Sequence, residues 1–97
     1  MQIAHSPIII EKENIPGLRF PEEDVLMVET EKQKRLLDIK NANELGDLAQ
    51  YKVKILFEDV SGLKKVETTI WKTTEKDVVL KYGIRIPIHR VSRVYFP

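Results

Sequence analysis

The chain has 97 residues, 42% of them hydrophobic and 32% charged, with no cysteine and a net charge of +1. This is a globular balance, and the length supports one domain with a modest core. The missing thiols exclude disulfides, thiolate metal sites and cysteine nucleophiles, and a domain this small without staples points to a reducing, cytoplasmic setting.

The first residues lack a basic n-region and a long apolar stretch, and no apolar run is long enough to span a bilayer, so neither a signal peptide nor a membrane segment is expected. Charge divides unevenly along the chain. Residues 1–50 carry six Lys/Arg against ten Asp/Glu, a balance of −4. Residues 51–97 carry ten against five, a balance of +5. The second half is basic enough to attract phosphate. The plainer reading is that both halves pack together and neutralise one another.

Residues 1–24 read as an N-terminal arm, ordered or flexible. Ile8-Ile9-Ile10 suits a short strand or an extended arm. Asn14-Ile15-Pro16-Gly17 is a turn, because Pro fixes φ and Gly permits positive φ. Residues 25–49 form a helical or mixed segment that packs on the C-terminal strands. Pro21-Glu22-Glu23-Asp24 resembles a helix start, with Pro in the first turn and acids near the positive end of the dipole. Glu, Lys, Gln and Leu through Ile39 favour helix by propensity, whereas Val25-Leu26-Met27-Val28 also suits a strand. Asn41-Ala42-Asn43 reads as a break, with Asn43 capping a short turn to Leu48.

From residue 50 the apolar period changes to two. Tyr51, Val53, Ile55 and Phe57 share one face of a first strand. Asp59-Val60-Ser61-Gly62 supplies a turn. Lys65–Thr73 is a second strand, with Val66, Thr68 and Ile70 on one face and Glu67, Thr69 and Trp71 on the other. Val78–Lys81 is a third strand, and Tyr82-Gly83 a tight turn. Ile84, Ile86 and Ile88 mark a fourth strand that Pro87 confines to an edge. His89-Arg90-Val91 leaves room for one helical turn, and Ser92–Phe96 is a fifth strand. Five short strands in under fifty residues predict a five-stranded antiparallel barrel over 50–97, since closure removes sticky edges. Its expected core is Tyr51, Val53, Ile55, Phe57, Val66, Ile70, Val78, Leu80, Ile84, Ile86, Ile88, Val91, Val94 and Phe96.

The run from Leu48 to Ile55, the end at Asp77-Val78-Val79-Leu80 and the segment Ile86–Val94 together resemble the two motifs of the Sm-like family of SH3-like barrels, which come after an N-terminal helix. The resemblance implies a mainly β barrel that binds RNA. Three positions depart from it. Lys65–Thr73 has no glycine at which to bend, the family's RNA-contacting asparagine falls near Asp77, and its Arg-Gly pair falls near His89-Arg90. A Rho-inhibitor-like barrel, which resembles Sm domains but binds a protein, shares the same pattern.

The function expected is therefore a non-enzymatic binding module for nucleic acid, RNA first, with a protein partner or self-association as the alternative. Lys64, Lys65, Arg85, Arg90 and Arg93 are candidates for one basic rim, and ordinary solvated charge is their plainer reading. Trp71, between Lys54 and Lys72, could stack a base, and the plainer reading is that the N-terminal segment covers it. Lys72 and His89 are further candidate contacts for nucleic acid or a partner; His5 and His89 form no spaced metal motif, and the plainer reading of His89 is a turn residue. No Gly-rich phosphate loop, nucleophile elbow or carboxylate pair with a cleft is evident, so no catalytic residue, cofactor or metal is expected.

Overall fold

The computed structural model describes residues 6–97, so His5 lies outside it. The fold is α+β: one 21-residue helix, α1 (Glu29–Ala49), and seven strands in two open sheets. The strands are β1 (Ile8–Ile9), β2 (Val53–Asp59), β3 (Gly62–Thr68), β4 (Ile70–Thr73), β5 (Asp77–Leu80), β6 (Arg85–Pro87) and β7 (Val91–Tyr95). One sheet has the order β1-β3-β2-β7 and the other β4-β5-β6. Every ladder is antiparallel except the parallel β1–β3 pair.

The expected closed barrel is not formed. No ladder joins the two sheets among the described residues. The chain crosses between them at two points where pairing lapses: Thr69, between β3 and β4, and the 3-10 turn Ile88–Arg90, between β6 and β7. The edges a barrel would have removed are partly covered instead. β1 lies on β3, and α1 packs against β4 and β7.

The helix corrects two further expectations. It starts at Glu29 and not at Pro21, with Glu29 and Glu31 in its first turn, where acids complement the dipole. It also runs through Asn41-Ala42-Asn43 to Ala49 and is capped by Gln50, which takes the left-handed conformation (φ 55°, ψ 32°). Its buried stripe is Arg35, Ile39, Ala42 and Gly46, at spacings of 4, 3 and 4. Ala42 is fully buried. Asn43 Oδ1 accepts a hydrogen bond from the Thr73 hydroxyl at 3.0 Å, so it ties the helix to β4.

Gly46 sets how closely the helix approaches. A Cβ there would lie 2.5 Å from the Ile70 carbonyl oxygen and 2.9 Å from Thr69 Cγ2. The nearer atom is backbone and cannot rotate away. The overpacking costs about 1–3 kcal/mol, against the ~1 kcal/mol that alanine gains in helix propensity. Gly46→Ala should therefore lower the thermal midpoint, although it improves the helix as an isolated segment.

The core joins the inner faces of both sheets to the helix stripe. Val53, Ile55, Phe57, Val66, Ile70, Val78, Leu80, Ile86, Ile88, Val91 and Val94 are buried as expected, and Ile84 packs partly against them. Tyr51 and Phe96 are exposed instead: β2 begins only at Val53 and β7 ends at Tyr95, so neither side chain is held in a ladder. Ile15 enters the core from the 3-10 turn Lys12–Gly17, the turn expected around Pro16. Among the described residues, no helix is long and apolar enough to cross a membrane.

Residues 21–28 form a strap without regular structure, fastened by polar groups. Arg35 binds both carboxylate oxygens of Asp24, at 2.8 and 2.9 Å. His89 Nε2 lies 2.9 Å from the Pro21 carbonyl, an acceptor, so the ring nitrogen donates. Arg90 donates to the Glu23 carbonyl at 2.7 Å, and the Val25 amide donates to the His89 carbonyl.

Candidate nucleic-acid interface

Strand alternation sends the odd-numbered side chains of β2 inward and Lys54, Leu56 and Glu58 outward. The register then sets two rows across the open face of the four-stranded sheet. Ile9, Lys65, Leu56 and Arg93 form one row, and Glu67, Lys54 and Tyr95 form the other. Lys65 and Arg93 both lean onto the Tyr95 ring, with the ammonium 5.1 Å and the guanidinium 5.5 Å from its centroid. Such contacts are worth about 0.5–1 kcal/mol each at an exposed site and hold the cations in place. Neither cation forms an ion pair among the described residues, and Lys54, Arg93 and Tyr95 are exposed.

The single basic rim expected from Lys64, Lys65, Arg85, Arg90 and Arg93 does not assemble. Lys64 is buried, because it shares the inner face of β3 with Val66. Its ammonium lies 2.9 Å from both Asp59 Oδ1 and Ser61 Oγ. Burial works against the charged form of Asp59, but the hydrogen bonds from Lys64 and Ser61 outweigh it and hold the carboxyl below its ordinary range. Arg90 is buried too, with Nε donating to the Glu58 carbonyl at 3.0 Å and Nη1 taken by Glu23. Arg85 pairs with Asp77 at 3.3 Å. His89, expected as a turn residue, does sit in the turn, half-buried and engaged with Pro21. Only Lys65 and Arg93 of the five basic candidates share a free face.

Trp71 is 54% exposed, so the described N-terminal residues do not cover it. The cause is local. β4 pairs Ile70 with Leu80 and Lys72 with Val79, leaving Trp71 as the extra residue of a bulge, a device that re-aims a side chain. The indole lines an open groove of about 790 Å³ together with Lys52, Lys81, Asp47 and Glu67. Lys72, beside it, is exposed and unpaired among the described residues.

Of the cations and aromatics on the open face, two are not among the candidates expected from sequence: Lys54 enters there only as a flank of Trp71, and Tyr95 does not enter at all. Their signal is strand alternation: Arg93 and Tyr95 stand two apart on β7, as Lys54 and Leu56 do on β2. Among the described residues, no three His, Asp or Glu side chains are grouped to hold a metal ion. Compared with family models, curated proteins and solved structures, the chain finds no significant match.

Proposed function

We propose that the protein is a cytoplasmic, non-enzymatic binding module that holds single-stranded RNA on the outer face of the four-stranded sheet. The observation that carries this reading is the pair of cations, Lys65 and Arg93, without an ion-pair partner among the described residues and leaning on the exposed Tyr95 ring, with Lys54 beside it in the ladder. Cations held at an aromatic on an open sheet supply the two things a single strand needs, charge for the phosphates and a π surface for a base. Lys64 and Arg90 have no part in it, since both are consumed in holding the fold.

Three phosphate contacts predict a slope of log affinity against log salt of about −2, and so roughly a 15- to 20-fold weakening between 50 and 200 mM salt. Fluorescence anisotropy of a labelled RNA octamer measures this directly. Arg93→Ala should weaken binding and flatten the slope by about 0.7. Binding that ignores salt, or none at all, rejects the reading. A second reading, a protein-interaction or self-associating module, draws its support from Leu37 and Leu48, which are 58% and 83% exposed on α1. Eleven residues apart, they share one side of the helix. A molecular mass that rises with concentration in sedimentation would favour it.

A further inference from the structure

We infer that the groove at Trp71 receives one nucleobase of the bound strand and favours a base with an exocyclic amine (adenine, cytosine or guanine) over uracil. This rests on the single-stranded RNA reading and extends it from the sheet face to a second subsite.

The register makes the two places neighbours. Tyr95 lies opposite Lys54, and Lys54 opposite Glu67. Glu67 lines the Trp71 groove, as does Lys52, two residues before Lys54. Two strand spacings separate Tyr95 from Glu67, roughly 10 Å across the sheet, and Glu67 shares the groove with Trp71. That span is a reach of a few nucleotides, so one short strand can touch both.

The groove differs from the sheet face in its charge. Lys12, Lys52 and Lys81 line it, but so do Glu11, Asp47 and Glu67. Lys12 is already paired with Glu13 at 3.3 Å. A phosphate would meet carboxylates there and gain little. A base is neutral, and its flat face suits the half-exposed indole. Ionised carboxylates only accept hydrogen bonds, so they favour an edge that donates. The amines of adenine, cytosine and guanine donate, as cytosine N4 does to Glu or Asp in base recognition, whereas uracil presents two carbonyl oxygens and a single N–H. The same carboxylates disfavour an acidic peptide as occupant.

Trp71 is the only tryptophan, so fluorescence excited at the red edge of the indole absorption, where the tyrosines barely absorb, reports on this groove alone. The test titrates the full chain with rC8, rA8, rU8 and a poly-glutamate peptide, and follows the Arg93 amide by NMR in parallel. The expected result is quenching of Trp71 by rC8 and rA8, little quenching by rU8, and an Arg93 shift with all three RNAs. Trp71→Leu should weaken rC8 at least about fivefold, the lower bound for loss of one stacked base, and leave rU8 nearly unchanged. An Arg93 shift with an unmoved indole signal, or equal quenching by rU8 and rC8, overturns the groove assignment and leaves the sheet-face reading standing. Silence at both Arg93 and Trp71 overturns both. Quenching by the peptide overturns the choice of ligand.

Discussion

Ile55→Asp should leave the protein unfolded at neutral pH. Ile55 is fully buried at the middle of β2, the strand paired on both sides, and its ladder partners are Val66 and Val94. Removing the isoleucine side chain alone costs about 2–5 kcal/mol. The carboxylate adds several kcal/mol more, because the cation on that face, Lys64, is already engaged by Asp59 and Ser61. The sum rivals the roughly 5–15 kcal/mol that stabilises a domain of this size. Circular dichroism should show no cooperative thermal transition, while Ile55→Val should cost only about 1 kcal/mol and melt normally. A cooperative melt from the aspartate variant would mean that the inward face of β2 had been wrongly assigned.

The next largest effect belongs to the ion pair that fastens the strap. Arg35 is buried, its side chain 6% exposed, and Asp24 is its only carboxylate partner among the described residues. Its remaining acceptor is the Val91 carbonyl at 3.2 Å, and its Nε finds none. The hydrogen bonds from Arg35 outweigh the cost of burial and hold the Asp24 carboxyl at about 2, below its ordinary 3.8. The folded state therefore binds this proton less readily than the unfolded chain. The resulting stability is complete above about pH 4 and is lost as pH falls toward 2. Asp24→Asn should strand the guanidinium and cost about 2–3 kcal/mol at pH 7, below the 3–5 of a fully buried pair because Asp24 keeps some solvent contact. That corresponds to a drop in thermal midpoint of roughly 10–20 °C. Melts from pH 2 to pH 7 should show the gap between parent and variant closing in acid. A constant gap would show that the pair contributes through shape alone.

The strands were largely legible because their information is local. The alternation through Val53, Ile55 and Phe57 gives the phase of β2, and Gly62 and Gly83 mark the two turns by supplying positive φ, although Tyr82 shares that conformation without its type announcing it. Tyr82 and Gly83 both take positive φ, at 66° and 74°. Closure of the sheets was not legible, since whether β7 seals against β6 or only pairs with β2 depends on how the chain turns at Ile88–Arg90. The helix is obscure in sequence for a different reason. Its buried stripe is Arg35, Ile39, Ala42 and Gly46, small or polar apart from one isoleucine, while Leu37 and Leu48 point outward. Apolar periodicity therefore carries almost no signal there, and Asn43 looks like a break until Thr73 is placed beside it.

The site was legible in the same partial way. Arg93 follows the phase of Val94 and not that of Val91, because the β2–β7 ladder shifts register between them, whereas Lys65 comes directly from strand phase. Lys64 could have been removed by that same phase, since it stands two residues before Val66 on the inner face. Arg90 could not, because its partners, the Glu23 and Glu58 carbonyls, come from distant segments. The outward side of Trp71 was legible in the alternation of Lys65–Thr73, but the bulge at that residue was not.

The most direct test of the RNA-binding face is an amide chemical-shift titration of the labelled protein with rC8 at 50 and 200 mM salt. Shifts grouped at Lys54, Lys65, Arg93 and Tyr95, shrinking at the higher salt while Lys64 and Arg90 stay still, are the predicted result. Shifts that are absent, indifferent to salt, or gathered on α1 around Leu37 and Leu48 would contradict it.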